Sequence, residues 1–216
     1  MKKLLILPLL LITISAFAQN WKPAKLDSLV SVSMPADYKK KDTLNQTSFS
    51  GKTDFGFIIV NKSPEAIKAG TKIRNDKDLQ AIYNSYITGI AQNAKSQPAK
   101  LRDTTIGSIK GKNFVFTVEG EEGPEVREFT VLLIGTDMYS FEFLQKQMHV
   151  TQAKETREAF FGSIKLADVK KQDQLTNAGE KLSAEEKSSE WKRYAMLGGI
   201  AGVIVVVIAL IIRMRK

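Results

Sequence analysis

The chain has 216 residues, no cysteine and one histidine, and its 32 basic side chains outnumber its 23 acidic ones by nine. A chain of this composition offers no disulfide framework and no ligand set for structural zinc, haem or iron–sulfur clusters. The positive charge is dispersed: two basic residues lie in residues 1–18 and three in 213–216, which leaves +4 on residues 19–166 and zero on 167–194. This distribution does not favour nucleic-acid binding.

The first eighteen residues have the pattern of a secretory signal peptide. A basic start precedes the apolar stretch Leu4–Phe17, and small side chains at Ala16 and Ala18 mark an A-x-A cleavage site. The pattern predicts cleavage after Ala18, so that the exported chain begins at residue 19. An uncleaved membrane anchor is the alternative, and Pro8 and the shortness of the apolar stretch count against it.

The first predicted strand of the exported chain is "VSVSMP". Val30, Val32 and Met34 alternate with serines, which is typical of a half-buried strand, and Pro35 ends it. The densest basic cluster of the chain, Tyr38–Lys41, follows soon after and is interpreted as a solvated loop.

Two further segments predict a β-hairpin. They are "NQTSFSGK" (45–52) and "DFGFIIVNK" (54–62), with Gly51 expected in the turn between them. The letters "SGKTDFG" invite comparison with a phosphate-binding loop. Such a loop needs a glycine where this chain has Gln46, and it needs a helix where a Phe/Ile/Val strand follows. Residues 62–75 are then predicted to form a loop.

The clearest helix of the sequence begins at Asp76, with Asn75 as its cap, and ends before Pro98. One apolar stripe with spacings of three and four runs along it, formed by Leu79, Ile82, Tyr83, Tyr86, Ile87, Ile90, Ala91 and Ala94. The stripe predicts packing against a sheet. The alternative is a ligand pocket between sheet and helix, lined by Tyr83 and Tyr86.

Residues 105–145 predict an antiparallel meander with short polar turns. "TIGSIKG" is a weak strand, and "KNFVFTVEG" places Phe114, Phe116 and Val118 on one face. "VREFTVLLIG" and "MYSFEFLQ" are two more strands, and the expected turns are "EEGPE" and Gly135–Asp137.

A second helix is predicted over Thr151–Phe161, with an apolar side formed by Ala153, Ala159, Phe160 and Phe161. The letters "SIKL" after this helix predict a short extension that closes the domain.

This order of elements resembles the PsbP/Mog1-like family. The resemblance rests on an early strand ending in Met-Pro, a hairpin, a long amphipathic helix, a meander containing "VREFTVLLIGTDMYSFEF", and a last helix ending "AFFGSIKL". It covers residues 29–166 and implies an α/β/α sandwich around a mainly antiparallel sheet. It also implies a non-enzymatic binding or assembly factor that works on large protein complexes. The pattern contains no signature motif, so no binding residue of the family transfers to this chain.

Two polar features of this region lack the spacing that their chemistry requires. Glu119, Glu121, Glu122 and Glu125 crowd one predicted turn without the alternation of a calcium loop, which favours a solvated hairpin tip. His149 would serve a hydrolase only with a hydroxyl and a carboxylate close in space, and the sequence has no Gly-x-Ser-x-Gly elbow. We therefore predict no catalytic, cofactor-binding or metal-binding residue, and no cofactor.

Residues 167–194 predict a charged linker or stalk, in which "SAEE" (183–186) has the form of a helix capping box. The uncharged run 195–212 spans about 27 Å as a helix, close to the hydrocarbon thickness of a bilayer. It predicts one transmembrane helix, and a buried core helix, the alternative, would have a polar face. The side chains expected at the membrane interface are Trp191, Tyr194, Arg213, Arg215 and Lys216.

The two ends together predict a single-pass protein of the bacterial inner membrane. The signal peptide exports residues 19–166 to the periplasm, and the basic residues 213–216 stay in the cytoplasm. Gly198 and Gly202 form a Gly-x-x-x-Gly pair in the span, which predicts a helix–helix contact and a homodimer.

The leading functional hypothesis is a non-enzymatic, membrane-anchored envelope module that binds or helps assemble a protein partner. A small-ligand or lipid carrier, with its pocket near Tyr83 and Tyr86, is the alternative. A hydrolase built around His149 is the third hypothesis.

Overall fold

The computed structural model describes residues 20–43, 46–67 and 71–174. Within these ranges the chain forms ten strands: β1 (Trp21–Lys25), β2 (Val30–Pro35), β3 (Lys39–Thr43), β4 (Gln46–Lys52), β5 (Phe57–Ser63), β6 (Ala99–Ile106), β7 (Ile109–Gly120), β8 (Gly123–Ile134), β9 (Asp137–Lys146) and β10 (Lys165–Leu166). It also forms the helices α1 (Asp76–Ala94) and α2 (Lys154–Gly162), and 3-10 turns at Gln147–His149 and Lys171–Gln174. None of these described helices has the length and apolarity needed to cross a bilayer.

Seven of the described strands form one sheet in the order β3-β4-β5-β9-β8-β7-β6, and the other three form a small sheet in the order β1-β2-β10. All neighbouring strands are antiparallel. The prediction of a mainly antiparallel α/β domain is confirmed. So is the short extension "SIKL", because Lys165 and Leu166 pair with Ser31 and Val30 of β2.

The large sheet is covered on both faces. α1 packs on one face, here called the α1 face, over a core that includes Phe114 and Phe116. The small sheet and α2 pack on the opposite face, here called the α2 face, over a core that includes Phe143 and Phe160. Each of these four phenylalanines is fully buried, and burial of one such side chain contributes about 1.5–3 kcal/mol.

α1 begins and ends as its sequence predicts. Asn75 Oδ1 accepts hydrogen bonds from the backbone nitrogens of Lys77 and Asp78, at 2.8 and 3.1 Å, which caps the first turn. Lys95 takes a left-handed conformation with φ 50° and ends the helix. The predicted apolar stripe is buried from Leu79 to Ala91, so its assignment to the core is confirmed.

Gly51 was predicted in a hairpin turn and this prediction is wrong. It lies inside β4, where it pairs with Ile58, and residues 53–56 make the connection to β5. A Cβ atom on Gly51 would stand 2.9 Å from Pro35 Cδ. The glycine is therefore explained by the close approach of the small sheet.

Three more predictions need correction. Tyr38–Lys41 was interpreted as a loop, but Lys39–Lys41 belong to the wholly exposed edge strand β3. "TIGSIKG" was interpreted as one strand, but it contains the turn between β6 and β7, where Gly107 has φ 60°. Ala159, which was placed on the apolar side of α2, is exposed to solvent.

The chain stays packed for eight residues beyond residue 166, where the domain was predicted to end. The backbone nitrogen of Ala167 donates to Leu29 O at 2.8 Å, and that of Gly135 donates to Asp173 O at 2.8 Å. Residues 167–174 therefore cross the end of the sandwich where the β8–β9 turn lies, and they are part of the fold.

Gln174 bridges the point where β7 and β8 separate. The last pair of the ladder at this end is Gly111 with Leu132, and the next two residues, Lys110 and Leu133, do not pair with each other. Gln174 Oε1 accepts from Lys110 N at 2.8 Å, and its Nε2 donates to Lys110 O at 2.6 Å and to Leu133 O at 3.0 Å. Tyr83 adds a hydroxyl that donates to Lys110 O and accepts from Leu133 N. The amide and the hydroxyl together replace the missing backbone pair.

A polar network ties the β1–β2 turn to the large sheet. Asp27 Oδ2 accepts from Lys62 Nζ at 2.6 Å and from the Tyr139 hydroxyl at 2.5 Å, and Lys62 also lies 3.0 Å from Asp137 Oδ2. Partial burial alone would raise the pKa of Asp27, but these hydrogen bonds hold that pKa below its ordinary value. Burial alone would lower the pKa of Lys62, but its hydrogen bonds to Asp27 and Asp137 keep that pKa above its ordinary value.

Candidate functional site

An open groove lies on the α2 face of the large sheet, between α2 and the edge strand β6. Its volume is about 390 Å³. We call it the α2–β6 groove. It is lined by Lys100 and Arg102 from β6, Asn113 and Val115 from β7, Glu128 from β8, and Arg157, Glu158 and Phe161 from α2.

The β6 wall of the groove contains a β-bulge. Ala99 pairs with Val115 and Arg102 with Asn113, so two residues of β6 face one residue of β7 between these pairs. Lys100, inside the bulge, has φ 53°, a left-handed conformation that costs a non-glycine residue about 1 kcal/mol or more. The bulge redirects the side chains of this edge, and Lys100 and Arg102 both line the groove.

Asn113, on the groove floor, keeps one polar atom without a partner. Its Nδ2 donates to Thr130 Oγ1 at 3.0 Å, whereas its Oδ1 is buried and has no hydrogen-bond partner among the described residues. Reversing the amide would leave the nitrogen in that position instead. In either orientation one buried polar atom beneath the groove lacks a partner among the described residues.

The opposite wall is fixed by Arg157. Its Nε lies 3.1 Å from Glu128 Oε2, and its Nη1 donates to Gln145 Oε1 at 3.3 Å and to Val150 O at 3.4 Å. These contacts join α2 to β8, to β9 and to the turn that precedes the helix. The groove is therefore held between fixed elements of the fold.

Tyr83 and Tyr86 are core residues. Their side chains are 0% and 1% exposed and belong to the core of the α1 face. The pocket beside them that the carrier hypothesis requires stays a prediction. Burial raises the pKa of Tyr86 above its ordinary value. A cleft of about 360 Å³ does lie near α1, but at the end of the helix beside Lys95 and Pro98.

His149 lies in the 3-10 turn before α2, against an aromatic ring. The centroids of its imidazole and of the Phe55 ring are 5.5 Å apart. Its Nδ1 is buried and has no hydrogen-bond partner within the described ranges. The hydroxyl and carboxylate that a hydrolase would need are thus not arranged around this nitrogen.

The four glutamates lie at the tip of the β7–β8 hairpin, as predicted. Glu119 and Glu125 belong to the strands, Glu121 and Glu122 form the turn, and Glu122 makes an ion pair with Lys146. Burial raises the pKa of Glu125. In the part of the chain that the structure describes, no three His, Cys, Asp or Glu side chains are grouped to hold a metal ion.

The predicted membrane sites cannot be placed in this fold. Trp191, Tyr194, Arg213, Arg215 and Lys216, the glycines at 198 and 202, and the predicted signal peptide lie outside the described residues.

The fold has known counterparts. The solution structure of cyanobacterial PsbP (CyanoP) from Synechocystis sp. PCC 6803 is similar at a TM-score of 0.51 and 9% identity, over 71% of this chain and 96% of that one. This chain has a PsbP/Mog1-like fold. The Ran-binding protein Mog1p of Saccharomyces cerevisiae is similar to this chain at a TM-score of 0.42 and 11% identity, over 70% of this chain and 97% of Mog1p. LpqN of Mycobacterium tuberculosis is involved in cell envelope biogenesis. Its structure is similar at a TM-score of 0.42 and 9% identity, over 68% of this chain and 91% of LpqN.

The likeness to CyanoP establishes the fold alone. No protein-family model matches the sequence, and no curated protein matches it.

The α2–β6 groove was missed in the sequence because its residues are far apart along the chain. Lys100 and Phe161 are brought together only by the strand order of the PsbP/Mog1-like domain. One local signal was present. Asn113 places an amide on the face of β7 opposite Phe114, as expected for a face that is not fully covered.

Proposed function

We propose that this protein is an exported, membrane-anchored, non-enzymatic module that binds a protein partner of the bacterial envelope through the α2–β6 groove. The observation that carries the proposal is the groove itself. It is an open cleft with charged walls and a partly exposed aromatic ring at Phe161, on a domain in which Tyr83 and Tyr86 are buried in the core. Such a surface suits recognition of another chain.

The course of the chain suits the proposed anchoring. The described residues begin at Asn20, beside the Pro35 end of β2, and they end at Gln174, beside Tyr83 of α1. These positions are at opposite ends of the sandwich. A C-terminal anchor at 195–212 would therefore hold the domain by the end where Gln174 lies.

Anchoring also explains how a low affinity for the partner in the groove could suffice. A tether confines the domain to the membrane surface and raises its effective concentration near a membrane-bound partner. In the same proposal, Gly198 and Gly202 form the contact between two copies of the chain.

Filling the groove tests the proposal. We expect Val115→Trp to reduce partner crosslinking at least tenfold, because the indole would occupy the floor between β6 and α2. The tagged full-length chain is crosslinked in its own membranes, and attached proteins are quantified by mass spectrometry. Thr105→Trp, on the exposed part of β6 outside the groove, is the matched control and should leave crosslinking unchanged.

The thermal midpoints of both variants are measured first, so that loss of folding is distinguished from loss of binding. Equal partner crosslinking by wild type and by a folded Val115→Trp variant would contradict the proposed binding site. A wild-type protein that crosslinks to no other protein would contradict the proposed function itself.

A further inference from the structure

We propose that the α2–β6 groove binds an extended acidic segment of its partner, with a carboxylate at the β6 wall and an apolar side chain on the floor. This inference rests on the proposed function and specifies the chemistry of the partner.

The fold neutralises the two cations of the β6 wall at most weakly. Lys100 makes no ion pair within the described ranges, and the nearest carboxylate oxygen to Arg102 is Glu128 Oε1, at 3.9 Å from its Nη2. Glu128 is already held by Arg157 through its other oxygen at 3.1 Å. The side chain of Arg102 is 69% exposed, so it is free to meet a second carboxylate.

The backbone of the β6 wall supports this role. Lys100 lies inside the bulge in a left-handed conformation, and Arg102 is the residue at which regular pairing with β7 resumes. Both side chains line the same cleft. A bulge also disrupts the regular edge that an added strand would need, which favours a segment lying in the groove over one that extends the sheet.

The remainder of the groove sets the other features of the segment. Val115 and Phe161 are half-buried and offer an apolar surface to a side chain next to the carboxylate. Asn113 places the polar side chain of the floor beside Val115, where its amide nitrogen is held by Thr130. An extended chain presents successive side chains on opposite sides, so alternating acidic and apolar residues match the two sides of the groove.

Glu158 is the one feature that opposes an acidic ligand. It lies on the α2 wall, its side chain is 63% exposed, and its contact with Lys154 at 4.0 Å neutralises it only weakly. Removal of this charge should therefore strengthen binding. An increase in affinity on removal of Glu158 distinguishes charge recognition in the groove from simple loss of a contact, which would lower the affinity.

The test uses full-length protein in detergent and a fluorescein-labelled peptide of alternating Asp and Val, with alternating Asn–Val and Lys–Val peptides for comparison. Fluorescence anisotropy should show binding of the Asp–Val peptide only. Arg102→Glu should weaken its binding at least tenfold, and Glu158→Gln should tighten it two- to threefold. Lys41→Glu makes the same charge change in the basic edge strand β3 and should leave the affinity unchanged within twofold.

Arg102→Gln serves as a second variant if Arg102→Glu fails to fold, and it should weaken binding by a smaller factor. Equal binding of the Asn–Val peptide, or equal effects of Arg102→Glu and Lys41→Glu, would overturn the inference. The groove-filling experiment would then still decide the proposed function, because it does not depend on the charge of the partner.

Discussion

Replacing Gln174 with alanine is expected to lower the free energy of unfolding by about 2–4 kcal/mol, although the sequence around it looks like a linker. The side chain is 1% exposed and makes three hydrogen bonds to backbone atoms of Lys110 and Leu133. Tyr83 still supplies one partner to Lys110 O in the variant. Lys110 N and Leu133 O lose theirs, and a buried polar group left unsatisfied costs about 1–3 kcal/mol.

Urea unfolding of the full-length protein in detergent, followed by circular dichroism of the sheet, measures this loss. Gln152→Ala is the matched control. Gln152 is exposed in the turn before α2, and its replacement should change stability by less than about 0.5 kcal/mol. If the two variants unfold at the same urea concentration, residues 167–174 do not contribute to the fold in solution.

Replacing Glu142 with alanine is expected to cost about 3–5 kcal/mol, the largest effect of a single substitution that we predict. Glu142 is 0% exposed, and its Oε1 lies 2.5 Å from Nε of Arg127, which is 6% exposed. The pair lies on the α1 face, beneath the helix. Without Glu142, Arg127 would remain buried without the carboxylate that contacts it, and a buried charge that loses its partner carries a penalty of this size.

The double variant Arg127→Met, Glu142→Leu separates the net contribution of the ion pair to the free energy of unfolding from the cost of leaving one of its charges unpaired. Apolar side chains of similar volume often replace a buried ion pair without loss, so we expect the double variant to unfold within about 1 kcal/mol of wild type. A double variant whose loss equals the sum of the losses of Arg127→Met alone and Glu142→Leu alone would show that the two residues act independently.

The sequence predicts α1 well because its signals are local. Asn75 as cap, the stripe from Leu79 to Ala91 and the end at Lys95 all depend on residues within one helix. The alternation of Phe114 and Phe116 is equally local, and both side chains are buried in the α1-face core.

The features that the sequence did not predict depend on contacts between distant residues. β3 is a strand because β4 pairs with it, although all five of its residues are exposed and three of them are lysines. Gly51 is needed because Pro35 approaches it, and Gln174 is ordered because β7 and β8 separate next to it. The α2–β6 groove arises in the same way from the placement of α2 beside β6.

The central claim is that the α2–β6 groove is where this protein meets its partner. It is tested most directly by placing the photoreactive residue p-benzoylphenylalanine at position 161, on the groove wall, or at position 77, which is exposed on α1 at the opposite face. After illumination of intact cells that make the full-length protein, we predict one abundant adduct with an envelope protein from position 161 and none from position 77. An adduct from position 77 alone, or none from position 161, would contradict the claim.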